Sequence, residues 1–321
     1  MIVDVHAHYF PKAYNDLLVS IGGRSLPEAA RAITARPLRH DDAAEIATRL
    51  ERMDDAGVRM QVLSPAASPP YAEKEADAVA AAHLINDAYA ELAAKHPGRF
   101  TAVVSLPLPH IDAALREMER GLDQLGLAGV SMTCSCFDRS TAEAEFEPLY
   151  AEMNRRRTLL NYHPIQNGIC SPLINDYKFT VSVGASLEDA VIVLHLIARR
   201  MHARYPNITY VIPHLGGLIP MQLQRLDNQA PRQYPDLPER PSVTARRFYY
   251  DTVGHGSHAA LLCAWKAFGA DHLVAGSDYP VLMAFETYRQ TFHYIAEAGL
   301  PAGDVDRILH HNAQIILGLP H

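Results

Sequence analysis

Cysteine is scarce in this sequence, and no two cysteines form a Cys-x-x-Cys pair. The four cysteines among 321 residues are Cys134, Cys136, Cys170 and Cys263. This number and spacing exclude a disulfide-stapled secreted scaffold and the common cysteine zinc motifs. We therefore expect reduced thiols in a cytoplasmic protein, and we interpret Cys134 and Cys136 as ordinary buried cysteines rather than as a soft metal pair.

Long apolar runs and an excess of positive charge are also missing. No apolar run is expected to span a bilayer, and no basic region followed by an apolar stretch marks a signal peptide. The formal net charge is −7, which argues against a general attraction to nucleic acid or to an anionic membrane. The expected partner is therefore a small molecule.

The sequence does contain a regular alternation of apolar β-type runs with helical patterns. Eight runs are predicted as strands: MIVDVH, VRMQVLSP, FTAVVSL, LAGVSMT, TLLNYH, ITYVIPH, RRFYYDT and HLVAGSD. Eight strand–helix units predict parallel strands that close into a (β/α)8 TIM barrel, with one domain over residues 1–321. An open doubly wound sheet is the alternative, but no Gly-x-Gly-x-x-Gly follows the first strand.

Irregular segments interrupt this alternation after the first and fifth strands, at residues 9–42 and 164–185, and a proline-rich stretch, NQAPRQYPDLPERPS, precedes the seventh. In a barrel, such insertions lie over the C-terminal ends of the strands. We therefore expect Arg36, in the first insertion, to lie near the mouth. In the helix predicted over SLEDAVIVLHLIARRMHARYP, Ser186 is predicted as the N-cap, with Asp189 three residues later.

Histidines and one aspartate stand at the C-terminal ends of four predicted strands. His6 and His8, two residues apart, face the same side of the first strand. His163, His214 and Asp278 end the fifth, sixth and eighth strands. These ends converge on one mouth of a barrel, where nitrogen and carboxylate ligands suit zinc, with manganese or iron as alternatives. One such histidine usually packs or hydrogen bonds, but five residues together favour a metal site.

These residues resemble a known family. The His-x-His after the first strand, the histidines after the fifth and sixth, and the aspartate after the eighth resemble the amidohydrolase superfamily. The segments DVHAHYFPKAY, RLERMDDAGVRMQVLSP, HLGGLIPMQLQRLDN, VAGSDYP and ILHHNAQIILGL resemble the amidohydrolase-2 branch, which includes aminocarboxymuconate semialdehyde decarboxylase and related metal-dependent non-oxidative decarboxylases. The resemblance runs from residue 2 to about residue 319.

The resemblance implies one divalent metal ion held by His6, His8, His163 and Asp278. A single ion is expected because the fourth predicted strand, LAGVSMTCSC, has no lysine that could be carbamylated to bridge two metals. Some aromatic-acid decarboxylases of this group have glutamate at the position of His6. Histidine there favours zinc, with manganese as the alternative.

His214 is then expected to act as a base without holding the metal, and Asp278 is a second group that could move the proton. A neutral imidazole beside a metal can take a proton from water, so the rate is expected to fall at low pH. A simple hydrogen-bonding role in the turn after the sixth strand is the alternative. Gly216 and Gly217 would permit close approach of the backbone to a ligand.

Substrate contacts are assigned mainly to arginines, because a guanidinium binds carboxylates in a bidentate manner. Arg225 matches the arginine that reaches the substrate across a dimer interface in the resembling decarboxylase, and Arg36 approximately matches a second one. A surface salt bridge with Asp227 or a neighbouring residue is the alternative for Arg225. Residues expected around the pocket are Tyr9, Phe10, His255 and His258. Asp251 is expected to orient a histidine of the site, and His195 and Trp265 are expected to pack.

Hydrolysis and non-oxidative decarboxylation can both use such a site. We predict a carboxy-lyase, active as a homodimer or larger homo-oligomer, that decarboxylates a small aromatic or unsaturated carboxylic acid. Hydrolysis of a lactone or amide, hydration, and a non-catalytic small-molecule-binding barrel are the alternatives.

Overall fold

Eight parallel strands form the centre of the molecule. The computed structural model describes residues 1–22, 42–65 and 67–319. Neighbouring strands pair in chain order from the first to the eighth. The strands are β1 (Ile2–His8), β2 (Val58–Ser64), β3 (Phe100–Ser105), β4 (Gly129–Thr133), β5 (Leu159–His163), β6 (Thr209–Ile212), β7 (Tyr249–Asp251) and β8 (Leu273–Val274).

The sheet closes between β8 and β1. The Val5 N–H donates to the Ala275 carbonyl at 2.9 Å, and the His8 N–H donates to the Tyr279 carbonyl at 2.7 Å. The predicted (β/α)8 barrel is therefore confirmed. Closure removes the sheet edges and brings the C-terminal ends of all eight strands to one mouth.

Helices surround the barrel. In chain order they are α1 (Lys12–Ser20), α2 (Ala43–Asp55), α3 (Glu75–Lys95), α4 (Ile111–Glu119), α5 (Glu147–Arg156), α6 (Pro172–Asn175), α7 (Ala185–Ala198), α8 (Met201–Arg204), α9 (Ile219–Gln233), α10 (Pro241–Ala245), α11 (His258–Phe268), α12 (Gln290–Glu297), α13 (Ala302–Asp306) and α14 (Asn312–Leu317). A small β-hairpin, Ser135–Cys136 with Arg139–Ser140, follows β4.

The barrel interior is filled by branched apolar side chains. Inward-facing residues of six strands form one buried cluster, and α14 packs against it through Ala313, Ile316 and Leu317. The strand members of that cluster are Val3, Val5, Val62, Val103, Leu159, Val211 and Val274. The much larger second cluster joins the strands to the surrounding helices. Because side chains fill the interior, a ligand can bind only at the mouth of the barrel.

The segment around α7 differs from its prediction. A π-helical turn, Thr180–Gly184, runs directly into α7, so the helix begins before Ser186 and that residue caps nothing. The helix also stops early, because Arg200 adopts a left-handed conformation with φ 53°.

The continuous helix Thr180–Ala198 is long and apolar enough by length and composition to cross a membrane, which corrects the expectation that no such segment exists. Glu188 and Asp189, in the middle of this helix, form hydrogen bonds with groups at the barrel mouth. The helix therefore packs against the barrel in this structure.

The proline-rich stretch before β7 is also more regular than predicted. Helix α9 continues to Gln233 with Pro231 in its last turn. A proline there removes one backbone hydrogen bond near a helix end, where the cost is lowest.

Candidate metal centre and cavity

Strand β1 delivers two histidines to the mouth. Its residues are all buried, and the two-residue spacing puts His6 and His8 on the same face. The His6 Nδ1 lies 2.6 Å from Oδ2 of Asp251 at the end of β7. The His8 Nδ1 lies 3.1 Å from the hydroxyl of Ser64 at the end of β2 and 3.3 Å from its carbonyl. Both rings therefore direct Nε2 toward the same point.

His163, at the end of β5, is oriented in the same way. Its Nδ1 lies 2.8 Å from the Pro164 carbonyl, which accepts the N–H. Its Nε2 is buried and has no hydrogen-bond partner among the described residues. Burial, together with the neighbouring His8 and His6, holds the pKa of His163 well below its usual value. The ring is therefore neutral, and its unpaired nitrogen offers a lone pair to the cluster.

Asp278 completes the group from the loop after β8. Its Oδ1 lies 2.9 Å from the His8 Nε2 and 3.6 Å from the His6 Nε2. Burial alone would raise the pKa of Asp278, but the His8 hydrogen bond and the charges of nearby histidines lower it below its usual value. The side chain is therefore a carboxylate. Its backbone has φ 54°, a conformation that non-glycine residues rarely adopt.

These four side chains fit a divalent metal ion. One donor atom from each of His6, His8, His163 and Asp278 lies within 4.8 Å of the others. All three Nδ1 atoms face acceptors, so each Nε2 can present a lone pair to a bound ion, as in metal-bound histidines generally. The His6 and His8 Nε2 atoms are only 3.1 Å apart, and an ion bound there would replace this contact and the His8–Asp278 hydrogen bond. Three nitrogens and one carboxylate oxygen suit zinc or manganese.

His214 lies beside this group, in the turn after β6. The centre of its ring is 5.2 Å from that of His6 and 5.7 Å from that of His163. Its Nδ1 lies 2.9 Å from Oδ2 of Asp189, and its backbone N–H donates to Oδ1 of Asp251 at 2.9 Å. The backbone of His214 is left-handed, with φ 51°. Two buried carboxylates therefore hold this residue: Asp189 fixes the ring at Nδ1, and Asp251 fixes the backbone N–H.

Asp189 changes the expected charge of His214. Burial by itself would lower the pKa of His214, but the Asp189 carboxylate and, more weakly, Asp251 and Asp278 raise it to about 9. The imidazole in this environment is protonated at neutral pH, whereas the sequence suggested a neutral base. A divalent cation at the cluster would oppose this effect, since like charges disfavour one another.

Sequence reasoning missed the role of Asp189, because the residue was assigned to a helix cap. It lies inside α7 and is fully buried, as is its neighbour Glu188. Glu188 accepts the backbone N–H groups of Gln166 and Gly168 at 3.0 and 2.9 Å, so it holds the loop after β5. A pair of acidic residues in an otherwise apolar helix was the available signal.

The glycines after His214 pack closely against neighbouring elements. A side chain at Gly216 would come within 2.8 Å of the Tyr250 ring, and one at Gly217 within 2.1 Å of the Ser186 carbonyl. Both have positive φ, 77° and 57°. They therefore let the turn pack tightly against β7 and α7, and Gly217 also lines the cavity described below.

A cavity of about 960 Å³ opens beside the cluster. His163, His214 and Asp278 form its polar end, and His255 also lines it, as predicted. Most of the remaining lining is apolar. It includes Val181, Ala185, Leu215, Pro220, Met221, Val253, Ala259, Ala260, Cys263, Val281 and Phe285.

Several predicted pocket residues lie elsewhere. Tyr9 is buried, with its ring centre 6.3 Å from that of Tyr89, and Phe10 packs beneath the ring of His8 at 5.9 Å. Both side chains are buried, and neither is among the residues that line the cavity. His258 likewise stacks on Tyr294 instead of lining the cavity.

The predicted arginine contacts have separate outcomes. Arg225 is exposed on α9, and the expected alternative, a salt bridge to Asp227, does not form. Asp227 instead accepts hydrogen bonds from the backbone N–H and the hydroxyl of Ser242, at 2.9 and 2.6 Å. Arg36 lies outside the described residues.

The remaining residues behave as ordinary structural groups. Cys134 and Cys136 are buried and form no disulfide. His195 is partly buried against the Ser140 hydroxyl at 2.7 Å, and the Trp265 indole donates to Asp304 at 2.8 Å. Asp251 contacts both His6 and the backbone of His214, in agreement with its predicted orienting position.

A closed (β/α)8 barrel with a histidine–aspartate cluster and an adjoining cavity at its mouth has the architecture of an enzyme. The chain belongs to the amidohydrolase family: the model of that family (Amidohydro_2) matches residues 3–319. The resemblance drawn from the sequence motifs is thereby confirmed.

Curated relatives in this family include decarboxylases. The chain is 24% identical over 294 residues to 2-amino-3-carboxymuconate-6-semialdehyde decarboxylase of Dictyostelium discoideum, covering 87% of this chain and 81% of the relative. It is 26% identical over 294 residues to gamma-resorcylate decarboxylase of Rhodococcus jostii, covering 84% and 87%.

A solved structure shows the same fold. Dihydroxybenzoic acid decarboxylase of a Polaromonas species, with bound manganese and the inhibitor 2-nitroresorcinol, superimposes with a TM-score of 0.81 at 22% identity. The alignment covers 99% of this chain and 96% of that one.

Proposed function

We propose that the chain is a metal-dependent, non-oxidative decarboxylase of an aromatic or unsaturated carboxylic acid. The observation that carries the proposal is the convergence of the unpaired His163 Nε2, the Asp278 carboxylate and the His214 ring on one end of an apolar cavity. The decarboxylase relatives support the same reaction class.

His6, His8, His163 and Asp278 are the residues that would hold the metal. A bound divalent ion would supply positive charge to anchor the carboxylate and an adjacent oxygen of the substrate. Asp251, Ser64 and the Pro164 carbonyl fix the three rings through their Nδ1 atoms, so the Nε2 atoms need not reorient when the ion binds.

His214 delivers the proton. Asp189 accepts its Nδ1–H, which leaves Nε2 to carry a second proton. Transfer of that proton to the substrate carbon that bears the carboxylate forms the new C–H bond. The C–C bond then breaks, its electrons return to the unsaturated system, and carbon dioxide leaves. His214 regains its proton from water at the cavity mouth, so one proton is consumed for each carboxylate lost.

The apolar lining favours this chemistry. Excluding water from the carbon that is protonated strengthens the interactions of the charged groups at the polar end. Carbon dioxide is neutral, so the charged groups at the polar end do not hold it and it can leave through the open mouth.

Finer assignments follow from the sequence. We propose zinc as the native ion, with manganese as the alternative, because position 6 is histidine. We propose a cytoplasmic homodimer in which the exposed Arg225 reaches the substrate of the partner subunit.

The direct test is carbon dioxide release from a panel of 2-hydroxybenzoic acids and unsaturated acids by the zinc- or manganese-loaded protein. We expect release with at least one acid, and release about a hundredfold to ten-thousandfold slower from the His214→Ala variant. Hydrolysis of lactones or amides without any carbon dioxide release would replace the proposal with the hydrolase alternative.

A further inference from the structure

The cavity beside the cluster is larger than a single-ring acid requires. Its volume of about 960 Å³ is at the upper end of the range of roughly 300–1,000 Å³ that is usual for drug-sized ligands. A hydroxybenzoic acid held at the polar end would fill only a part of it. The remaining apolar volume could therefore hold a further part of the substrate.

Small side chains create this volume. The helix Thr180–Ala198 contributes Ser182, Ala185 and Ser186 to the lining, at i, i+3 and i+4, so they share one helix face. The first turns of α11 contribute Ala259, Ala260 and Cys263, again on one face. We call these six residues the small-residue wall.

Larger apolar side chains make up much of the rest of the lining. Leu215 and Val253 follow β6 and β7, and Val281 and Phe285 lie in the segment after β8. The Phe285 ring lies 5.5 Å from that of His255. An occupant that contacts the small-residue wall therefore meets hydrocarbon on several sides.

The charges of the lining fix the orientation of such an occupant. The only lysine or arginine among the described lining residues is Lys178, and it is exposed to solvent. The polar end, with His163, His214 and Asp278, is where a carboxylate can be held with the help of a metal. The acid group must then point inward, with the rest of the molecule along the apolar wall.

We propose that the preferred substrate is a hydroxyaryl or unsaturated carboxylic acid that carries a bulky apolar substituent, such as a second ring or an alkyl chain. The substituent packs against the small-residue wall. This inference rests on the proposed decarboxylase function, and it adds the substrate class that the cavity selects.

The first experiment compares substrates on the metal-loaded protein. Carbon dioxide release is measured for 2-hydroxybenzoic acid and for the four 2-hydroxybenzoic acids that carry a phenyl group at position 3, 4, 5 or 6. We expect the best phenyl-substituted acid to exceed 2-hydroxybenzoic acid at least tenfold in kcat/KM. Equal or lower kcat/KM for all four would overturn the inference.

A second experiment fills the wall. Ala260→Leu places a larger side chain in the cavity, and Ala94→Leu, at an exposed position of α3, is the matched control. The quantity compared is a selectivity ratio: kcat/KM for the best phenyl acid divided by kcat/KM for 2-hydroxybenzoic acid. We expect Ala260→Leu to lower this ratio at least tenfold. Ala94→Leu should leave the ratio unchanged. Cys263→Leu serves the same purpose if Ala260→Leu fails to fold, as judged by circular dichroism. An unchanged ratio in a folded wall variant would overturn the inference.

Binding without turnover separates this inference from the proposed function. Calorimetry on the metal-free protein compares phenol with 3-hydroxybiphenyl, which has no carboxylate to lose. We expect 3-hydroxybiphenyl to bind at least tenfold more tightly, and Ala260→Leu to remove that difference. Tighter binding together with no carbon dioxide from any acid would reject the decarboxylase function and keep the apolar subsite; no tighter binding would reject the subsite itself.

Discussion

The Nδ1 atom of His214 lies 2.9 Å from the Oδ2 atom of Asp189, which is fully buried inside α7. The contact joins the turn after β6 to a helix that follows β5. It sets which nitrogen of His214 faces the cavity, and it raises the pKa of the ring to about 9. The ionic state of this pair therefore governs whether His214 can donate a proton.

Asp189→Asn is expected to move the pH profile of the reaction. A proton donor is active below its pKa and loses activity as the pH rises through that value. Removing the carboxylate lowers the pKa of His214, so the loss of kcat at high pH should shift to lower pH, by about one unit or more. The measurement is kcat against pH for both proteins. Asp176→Asn, at an exposed position of the segment before α7, should leave the profile in place. If the Asp189 variant also keeps the original profile, the carboxylate does not act through His214.

His214→Ala is expected to keep its metal and lose its turnover. The side chain is outside the four-residue cluster, so metal content by elemental analysis should remain near normal. Loss of the proton donor should lower kcat by about a hundredfold to ten-thousandfold. Asparagine at this position should rescue little, because an amide does not transfer a proton near neutral pH. Loss of metal would make His214 a ligand, and full turnover would leave the proton to Asp278.

Metal content is expected to be about one divalent ion per chain. His8→Ala and Asp278→Ala each remove one donor atom of the cluster and should lose most of the metal together with the activity. His311→Ala, at an exposed position of the surface, is the control that should retain both. Two well-occupied ions per chain, or full retention of metal in both cluster variants, would contradict the assignment.

Removing the metal is expected to lower stability. An ion that binds the folded chain at a hundred times its Kd stabilises it by about 2.7 kcal/mol. Chelation should therefore lower Tm, and added zinc or manganese should restore it. A His163→Ala variant should show a much smaller rise of Tm on metal addition. An equal rise would mean that the ion binds elsewhere.

Arg225→Lys is expected to raise KM for a carboxylate substrate with a smaller change in kcat. Lysine keeps the charge but cannot form the bidentate pair. Sedimentation at assay concentration should show at least a dimer, because Arg225 is exposed and lies outside the cavity lining of its own subunit. A fully active monomer would remove the role of Arg225 across subunits.

The sequence predicted the barrel and the grouping of the histidines well, because both depend on periodic patterns. Alternating strands and helices leave few closed architectures, and ends of parallel strands must meet at one mouth. That is why His6, His8, His163, His214 and Asp278 could be placed at one mouth from the strand pattern, whereas the choice of four of them as metal ligands came from the family resemblance.

The partners of His214 could not be predicted in the same way. Asp189 lies 25 residues before His214, and only the packing of α7 on the turn after β6 brings the two together. Tyr9 and Phe10 follow the end of β1, and only the packing around them shows that they are buried and do not line the cavity. The cavity itself depends on which small residues of α7 and α11 face inward, and helical period alone does not fix that.

The left-handed backbone at His214 has a consequence for the evolutionary history of the chain. A non-glycine residue in this conformation costs about 1–3 kcal/mol, and glycine would avoid most of that cost. Selection for stability alone would therefore favour glycine at this position. A relative that keeps the fold under selection for stability but has lost the reaction would therefore be expected to carry glycine here, whereas histidine marks a chain that still uses the side chain.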